Sequence, residues 1–250
     1  MRGKRPPLVL AYHGVGDLSA RDDPRGLLVS EDELRRHIAR LRSWGYELVT
    51  FGDLAARVAA GGAGGCAALT FDDGFADNAE VLPRLDAPST VFVVSGWLGK
   101  PHPDLSASRI VTPDELRLLD GSGVEIGAHT HTHADLAALG YEGAHVELAE
   151  SRRRLEEIVG TAIEVASYPY GSADADTLRA CRDAGFRAAC RISGEGSWDD
   201  VHNLPRQDMN KGATMIGLRL KRANLYERAV ATFPGRAARA VTRQLRLRQD

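Results

Sequence analysis

The chain has few cysteines and no long apolar run, and each absence excludes a class of protein. Its three cysteines are an odd number without a regular spacing, so we expect small core residues in a reducing compartment and no disulfide framework. They are Cys66, Cys181 and Cys190. No apolar segment approaches the length of a membrane span, and Leu8–Ala11 is too short for the hydrophobic region of a signal peptide. We therefore expect a cytoplasmic protein.

The formal net charge of −2 argues against a protein that binds nucleic acid, and no such partner is expected. The charge is unevenly spread, however. Nine basic residues against Glu227 and Asp250 give residues 219–250 a charge of +7 and leave −9 for the rest. The basic residues are Arg219, Lys221, Arg222, Arg228, Arg236, Arg239, Arg243, Arg246 and Arg248.

This basic segment predicts a helical C-terminal extension over residues 211–250, beside one domain over residues 1–210. A basic amphipathic helix can lie on an anionic membrane, which would attach the protein peripherally at the inner membrane face. A solvated helix without a membrane role is the alternative.

Apolar strands alternate with amphipathic helices along the first 210 residues, which predicts an α/β protein with a parallel sheet covered by helices. A chain of 250 residues with 43% apolar residues is long enough for one large core, and such chains are often single α/β barrels. The predicted strands are Leu8–Ala11, Glu47–Thr50, Ala67–Phe71, Thr90–Val94, Val124–Ala128, Val165–Tyr168, Ala188–Ile192 and a short element over Asn203–Arg206. The predicted helices are one capped by Ser30, then Phe51–Ala60, Thr112–Leu119, Glu142–Ile158 and Ala175–Ala184.

Two adjacent carboxylates follow one predicted strand, in Thr70-Phe71-Asp72-Asp73-Gly74. Asp-Asp-Gly is also ordinary turn chemistry, so the segment by itself favours a turn. Two carboxylates side by side at the end of an apolar strand repel each other, however, unless a cation or a proton compensates them. The pair therefore also indicates a cation site.

Three histidines alternate with threonines after another strand, in His129-Thr130-His131-Thr132-His133. If the chain turns into a helix after His129, only His129 and His133 share a face. If the segment stays extended, His131 joins them. Three alternating histidines are unusual in a chain that has eight in all, and they follow a predicted strand, so the segment favours metal binding over a loop without a ligand.

A divalent metal site would combine these two segments. Zinc binds histidine nitrogen and aspartate oxygen, and a catalytic zinc site uses three protein ligands and a water. Asp73, His129 and His133 would supply the ligands, and Asp72 would be the base. Every candidate follows a strand, and the carboxyl ends of barrel strands carry the active site.

A third segment, Tyr168-Pro169-Tyr170-Gly171, completes a recognisable pattern. With the first two segments in this order, the chain resembles the polysaccharide deacetylases, the NodB-homology or carbohydrate esterase family 4 proteins, from about Leu8 to Met209. The opening Tyr12-His13-Gly14-Val15 and the late Leu204-Pro205-Arg206 resemble one branch of that family. The resemblance implies a distorted (β/α) barrel with one divalent metal, usually zinc, with cobalt, manganese or nickel as alternatives.

The resemblance also implies a role for each motif residue. Asp73, His129 and His133 would be the metal ligands, and Asp72 the general base. The segment around Tyr170 would line the site of the acetyl group, with its backbone N–H in the oxyanion hole.

Two positions depart from the family pattern. Ser167 stands where the family usually has an arginine that pairs with the base carboxylate, and Arg206 is the expected substitute. The late motif that carries the family's acid histidine is not evident after Met209. His13, at the end of the first strand, is therefore the expected general acid, with His202 as the alternative.

These assignments imply a hydrolase that removes N-acetyl groups from an acetamido sugar or glycan and releases acetate. A hydrolase of a linear or cyclic non-sugar amide is one alternative, because loops rather than the fold determine the substrate. An inactive glycan-binding module is another. Trp97 and Trp198 are candidate sugar-stacking residues, although such residues more often belong to the core.

Overall fold

The fold is taken from a computed structural model, which describes residues 5–19, 21–192 and 196–210. The basic extension predicted over residues 211–250 lies outside the described residues. Its helical structure, and a domain boundary at residue 210, therefore stay predictions.

Within the described residues, strands and helices follow one another in the order expected of an α/β protein. The strands are β1 (Leu8–Tyr12), β2 (Gly14–Val15), β3 (Leu28–Val29), β4 (Glu47–Val49), β5 (Cys66–Phe71), β6 (Ser89–Val93), β7 (Pro101–His102), β8 (Leu105–Arg109), β9 (Glu125–Ala128), β10 (Val165–Ser167), β11 (Ala188–Ile192) and β12 (Leu204–Asp208). The helices are α1 (Glu31–Ser43), α2 (Phe51–Ala59), α3 (Ala76–Val81), α4 (Pro113–Asp120), α5 (Leu136–Val159) and α6 (Ala175–Asp183).

Seven parallel strands close into a barrel, in the order β1, β12, β11, β10, β9, β6, β5 and back to β1. The barrel is irregular at β5. One edge of β5 pairs with β1 along its length, while β4 pairs with the first half of the other edge and β6 with the second half. The predicted distorted (β/α) barrel is confirmed, and the shared edge of β5 is one source of the distortion.

The barrel strands are apolar because both of their faces are covered. Every residue of β1, β5 and β6 is buried. Cys66, Cys181 and Cys190 are buried and unpaired, as predicted for core residues. Burial raises the pKa of the Cys181 and Cys190 thiols to about 12, so these thiols stay protonated at neutral pH.

Side-chain caps fix where the helices begin. The Ser30 side chain accepts a hydrogen bond from the Glu33 backbone N–H and so starts α1, as the sequence predicts. Thr112 and Glu115 form a reciprocal capping box at the start of α4.

The structure differs from the sequence prediction mainly in its connections. Helix α5 begins at Leu136, six residues before the predicted start, and it is kinked at Gly140, whose φ is +64°. Helix α3, the β7–β8 hairpin and the β2–β3 pair were not predicted, since each is too short to show a period in the sequence. Among the described residues, no helix has the length and apolar character needed to cross a membrane.

Candidate active site

The carboxyl ends of the barrel strands bring the three sequence motifs together. Asp72 and Asp73 follow β5, His129 follows β9, and His13 follows β1. Because parallel strands end at one face of a barrel, residues far apart in the sequence meet there.

On this face the Asp73 carboxylate lies next to two histidines. Its Oδ1 atom is 3.5 Å from His129 Nε2 and 3.4 Å from His133 Nε2. Asp73 has φ +69° and Gly74 has φ +82°, so two left-handed residues in succession turn the chain out of β5. A left-handed aspartate is tolerated better than most residues, and it places this carboxylate beside the histidines.

The segment that carries the histidines is neither extended nor helical. Thr130 and His133 both have left-handed φ values, +65° and +63°, and α5 begins only at Leu136. Both conformations considered from the sequence are therefore wrong, yet His129 and His133 converge. His131 turns away, and its Nδ1 lies 2.9 Å from Ser95 Oγ.

Contacts from two other elements hold this unusual loop. The Glu147 carboxylate on α5 accepts hydrogen bonds from the backbone N–H groups of His131 and Thr132, at 2.9 and 2.8 Å. The Gly96 backbone N–H donates to the His131 carbonyl at 2.8 Å. A Cβ on Gly96 would lie 2.4 Å from that carbonyl oxygen, so only glycine permits the approach.

The Asp73, His129 and His133 side chains fit a divalent cation. Asp73 Oδ1 is buried and has no hydrogen-bond partner among the described residues. The Nδ1 atom of His129 lies 2.9 Å from the Ser167 carbonyl, which can only accept, so Nδ1 carries the proton and Nε2 keeps its lone pair. One ligand atom from each of these three residues lies within 4.8 Å of the others, and this oxygen–nitrogen donor set suits zinc.

The pKa values agree with such a site. Burial and, to a lesser extent, the neighbouring His129 lower the pKa of His133 to about 4, so the imidazole is neutral at pH 7. Burial alone would raise the pKa of Asp73, but the hydrogen bond from His102 and the nearby histidines lower it overall. A neutral imidazole and an ionised carboxylate are the forms that bind metal.

Asp72 is held by Arg206, the residue expected to replace the family's usual arginine. The two terminal nitrogens of Arg206 donate to the two Asp72 oxygens, each at 2.7 Å, and both side chains are buried. The same guanidinium donates to Ser167 Oγ at 2.5 Å and Thr70 Oγ1 at 3.0 Å. Burial would raise the pKa of Asp72, but the Arg206 charge, the Arg206 hydrogen bonds and the nearby histidines together lower it, so the carboxylate is ionised.

His13 lies on the same face as the two carboxylates. Its Nδ1 atom is buried and has no hydrogen-bond partner among the described residues. A positive charge at this position lowers the pKa of both Asp72 and Asp73. The Asn78 side-chain amide donates to the His13 carbonyl at 3.2 Å and so fixes the backbone at this position.

His202, the alternative acid, lies at the opposite end of the barrel. It precedes β12, and its Nε2 is 3.0 Å from the carbonyl of Phe186, which precedes β11. Residues that come before strands lie at the face opposite the site. The geometry therefore places His13 at the site and His202 away from it.

Of the three aromatic candidates, two lie at the site and one lies in the core. Tyr170 is 65% exposed at the site, has φ +59°, and its hydroxyl is 3.1 Å from His133 Nδ1. Trp97 packs against His133 with the ring centroids 5.0 Å apart. Trp198 packs instead against the core cluster that contains Val9 and Leu204, as expected of a core residue.

Three contacts at the site were not found from the sequence: those made by Glu147, Asn78 and His102. Glu147 and Asn78 act on backbone groups, which a sequence pattern does not reveal. His102 lies in the unpredicted β7–β8 hairpin, and no metal-ligand spacing connects it to the other histidines. Its place beside Asp73 follows only from the fold.

Comparisons with known proteins agree with this fold and site. The family model described as polysaccharide deacetylase matches residues 60–189, more than half of the chain. YxkH of Bacillus subtilis, which carries a provisional polysaccharide deacetylase name, is 24% identical over 72% of this chain and 62% of its own length. A chitooligosaccharide deacetylase of Rhizobium leguminosarum bv. trifolii is 34% identical over 48% of this chain and 53% of its own length. The chain thus spans between half and two thirds of these relatives.

The solved structures support the fold alone. The deacetylase PplD of Streptococcus pyogenes, solved with acetate, superimposes with a TM-score of 0.74 at 19% identity, over 88% of this chain and 99% of its own. A polysaccharide deacetylase from Bacillus cereus gives a TM-score of 0.69 at 21% identity, over 88% of this chain and 69% of its own. With the family model matched across β5 and β9, which deliver Asp73 and His129, the resemblance seen in the sequence is confirmed, and this chain belongs to the polysaccharide deacetylase family.

Proposed function

We propose that this protein is a metal-dependent hydrolase that removes N-acetyl groups from an acetamido sugar or glycan and releases acetate. The observation that carries the proposal is the buried, unpartnered Oδ1 of Asp73, which faces the Nε2 atoms of His129 and His133 beside an ionised Asp72. Zinc is the preferred cation, because the donors are two imidazoles and one carboxylate. Cobalt, manganese and nickel are the alternatives.

Asp72 is the general base of this proposal. A cation at the Asp73 site would supply a water of lowered pKa and polarise the acetyl carbonyl. Each Asp72 oxygen accepts one hydrogen bond from Arg206 and keeps a second lone pair, so the carboxylate can take a proton from the attacking water. Arg206 fixes the orientation of the carboxylate and keeps it ionised before the proton arrives.

His13 and Tyr170 would complete the reaction. An amine leaves an amide only when it is protonated, and an imidazolium at His13 would donate that proton. The backbone N–H of Tyr170 would donate to the oxygen that becomes negative when water attacks the amide carbon. Tyr170 also lies at the entrance to the site, because most of its side chain is exposed.

The acetamido sugar is supported by the names of two relatives, a chitooligosaccharide deacetylase and a chitin deacetylase. Trp97 lies beside His133, where an aromatic ring could stack on a sugar. A non-sugar amide remains the second candidate, and the experiment that tests the proposal separates the two.

The test is acetate release by zinc-loaded protein from N-acetylglucosamine, chitooligosaccharides and small acetylated amines. We expect release from the acetamido sugars, and Asp72→Asn should abolish it while still binding zinc. The matched control is Asp53→Asn, an exposed aspartate at the end of the barrel where β9, β10 and β11 begin. Release only from non-sugar amides would reassign the substrate, and zinc binding without any release would contradict the deacetylase proposal.

A cytoplasmic location and peripheral membrane contact through residues 219–250 are further proposals, resting on sequence alone. Nine basic residues would attract that segment to anionic lipid. Binding to anionic vesicles at low salt, lost when residues 219–250 are removed, is the expected result. Equal binding by both proteins would contradict it.

A further inference from the structure

A third histidine contacts the Asp73 carboxylate from outside the triad of Asp73, His129 and His133. His102 ends β7, is buried, and places its Nε2 atom 3.2 Å from Asp73 Oδ2. This is the carboxylate oxygen that does not face His129 and His133. The two oxygens of Asp73 therefore have different neighbours.

The hydrogen bonds of the hairpin determine which nitrogen of His102 carries the proton. The backbone N–H of Asp104 donates to His102 Nδ1 at 3.1 Å. A backbone N–H can only donate, so Nδ1 accepts with its lone pair, and the proton of the neutral ring is on Nε2. His102 consequently donates to Asp73 Oδ2 and has no lone pair on Nε2 to bind a cation itself.

The His102 ring is held in this orientation by its neighbours. Phe75 stacks on it with a centroid distance of 4.6 Å and an interplanar angle of 19°, and Trp97 contacts it edge-on at 5.6 Å. Asp104 of the same hairpin also forms an ion pair with Arg25, at 2.7 Å. A buried ring with packed faces and a fixed tautomer is suited to orient a partner rather than to exchange protons.

We propose that His102 is a positioning residue for the metal-binding carboxylate. By donating to Oδ2 it directs Oδ1 of Asp73 toward His129 and His133, so that a cation meets one carboxylate oxygen and two imidazoles. This inference rests on the metal site of the proposed function. The metal affinity of that site then depends also on the β7–β8 hairpin, which lies outside the three family motifs.

Zinc affinity measured by competition with a chromophoric chelator tests this role without any substrate. In His102→Phe the ring still packs between Phe75 and Trp97 but has no donor. Loss of a partner that orients a ligand typically weakens metal binding by about 10- to 100-fold, and we expect a loss of this size. His102→Gln, whose amide nitrogen lies near the position of Nε2, should recover most of the affinity.

The visible spectrum of the cobalt-loaded protein gives a second readout. A carboxylate released from His102 can bind through both oxygens, so His102→Phe should alter the ligand-field bands while His102→Gln should keep them. The matched control is His37→Phe, a buried histidine on α1 whose Nδ1 lies 3.1 Å from the Tyr12 hydroxyl. It should bind zinc as the unaltered protein does.

Each outcome decides the proposal. Unchanged zinc affinity and cobalt spectrum in His102→Phe would overturn it, as would equal losses in the folded Phe and Gln variants. If the phenylalanine variant does not fold, His102→Gln is compared with His102→Asn, whose amide nitrogen lies near Nδ1 instead. Affinity kept by Gln and lost by Asn supports the proposal, and equal affinities contradict it. Failure of the unaltered protein to bind zinc would instead refute the proposed function.

Discussion

Arg206 and Asp72 form a buried, bidentate ion pair although they lie 134 positions apart in the sequence. Both guanidinium nitrogens donate to the carboxylate across 2.7 Å. Arg206 lies on β12 and Asp72 directly follows β5, and both strands pair with β1, so the barrel brings the two residues together. Taking two charges out of water is costly, and the pair is tolerated because each charge compensates the other.

Removing only the positively charged partner, Arg206, should therefore destabilise the fold. Arg206→Met leaves the Asp72 charge buried without a partner, and we expect the free energy of unfolding to fall by about 3–5 kcal/mol. Asp72→Asn combined with Arg206→Met removes both charges and should recover part of this loss. Urea denaturation of the three proteins measures the effect. Equal destabilisation of the single and double variants would show that the ion pair is not the cause.

Matched substitutions of His13 and His202 test which of the two histidines is the general acid. His13→Gln should lower kcat by about 10²–10⁴-fold, the usual contribution of a positioned acid, and leave zinc binding unchanged. His202→Gln should retain nearly full turnover, because His202 hydrogen-bonds the Phe186 carbonyl at the other end of the barrel. Equal activities of the two variants would remove His13 from the mechanism.

Within the His129–His133 segment, only the first and last histidines should matter for zinc. His133→Ala removes a ligand atom and should reduce zinc affinity by more than the roughly 10- to 100-fold typical of losing an orienting partner. His131→Ala should have a small effect, because the His131 ring faces Ser95. Chelator competition measures both affinities, and a larger loss in His131→Ala would contradict the assigned ligands.

Asp77 should make the stability of the protein depend on pH. Burial raises the pKa of Asp77 to about 7, while its carboxylate accepts a hydrogen bond from the Val15 backbone N–H at 2.8 Å. The same group has a pKa of about 4 in an unfolded chain, so the folded protein binds the proton more tightly between these values. The free energy of unfolding should consequently fall as pH rises from about 4 through about 7.

Asp77→Asn isolates this effect, because asparagine keeps an oxygen acceptor for Val15 and does not titrate. Relative to the unaltered protein, the variant should gain stability as the pH is raised from 4 to 8. Urea denaturation at both pH values measures the difference. An identical pH dependence of the two proteins would assign the titration to another group.

Much of this structure could be predicted from the sequence because its signals are local. Ala188–Ile192 was predicted to the residue, and the Ser30 cap marks the start of α1 correctly. Apolar strands between capped helices leave few arrangements other than a parallel barrel. Asp73 and His129 follow such strands directly, so their convergence at one face follows from the same signals.

Other features depend on tertiary contacts that no local pattern encodes. The left-handed Thr130 and His133 are stabilised from Glu147 on α5, and this overrides the extended or helical form that the spacing favours. His102 reaches Asp73 through a hairpin that is too short to have a recognisable period. The non-helical Gly140 interrupts the helical spacing near the start of α5, so the sequence pattern did not indicate the residues before it as helix.

The most direct test of the proposed function is a zinc titration of the metal-free protein, followed by acetate release from a chitooligosaccharide. We expect no release without metal, a rise in proportion to bound zinc, and a plateau at one zinc per chain. Asp73→Ala should show neither tight binding nor release. Full activity in the metal-free protein, or one tightly bound zinc per chain with no acetate released, would contradict the assignment of this site as a metal-dependent deacetylase.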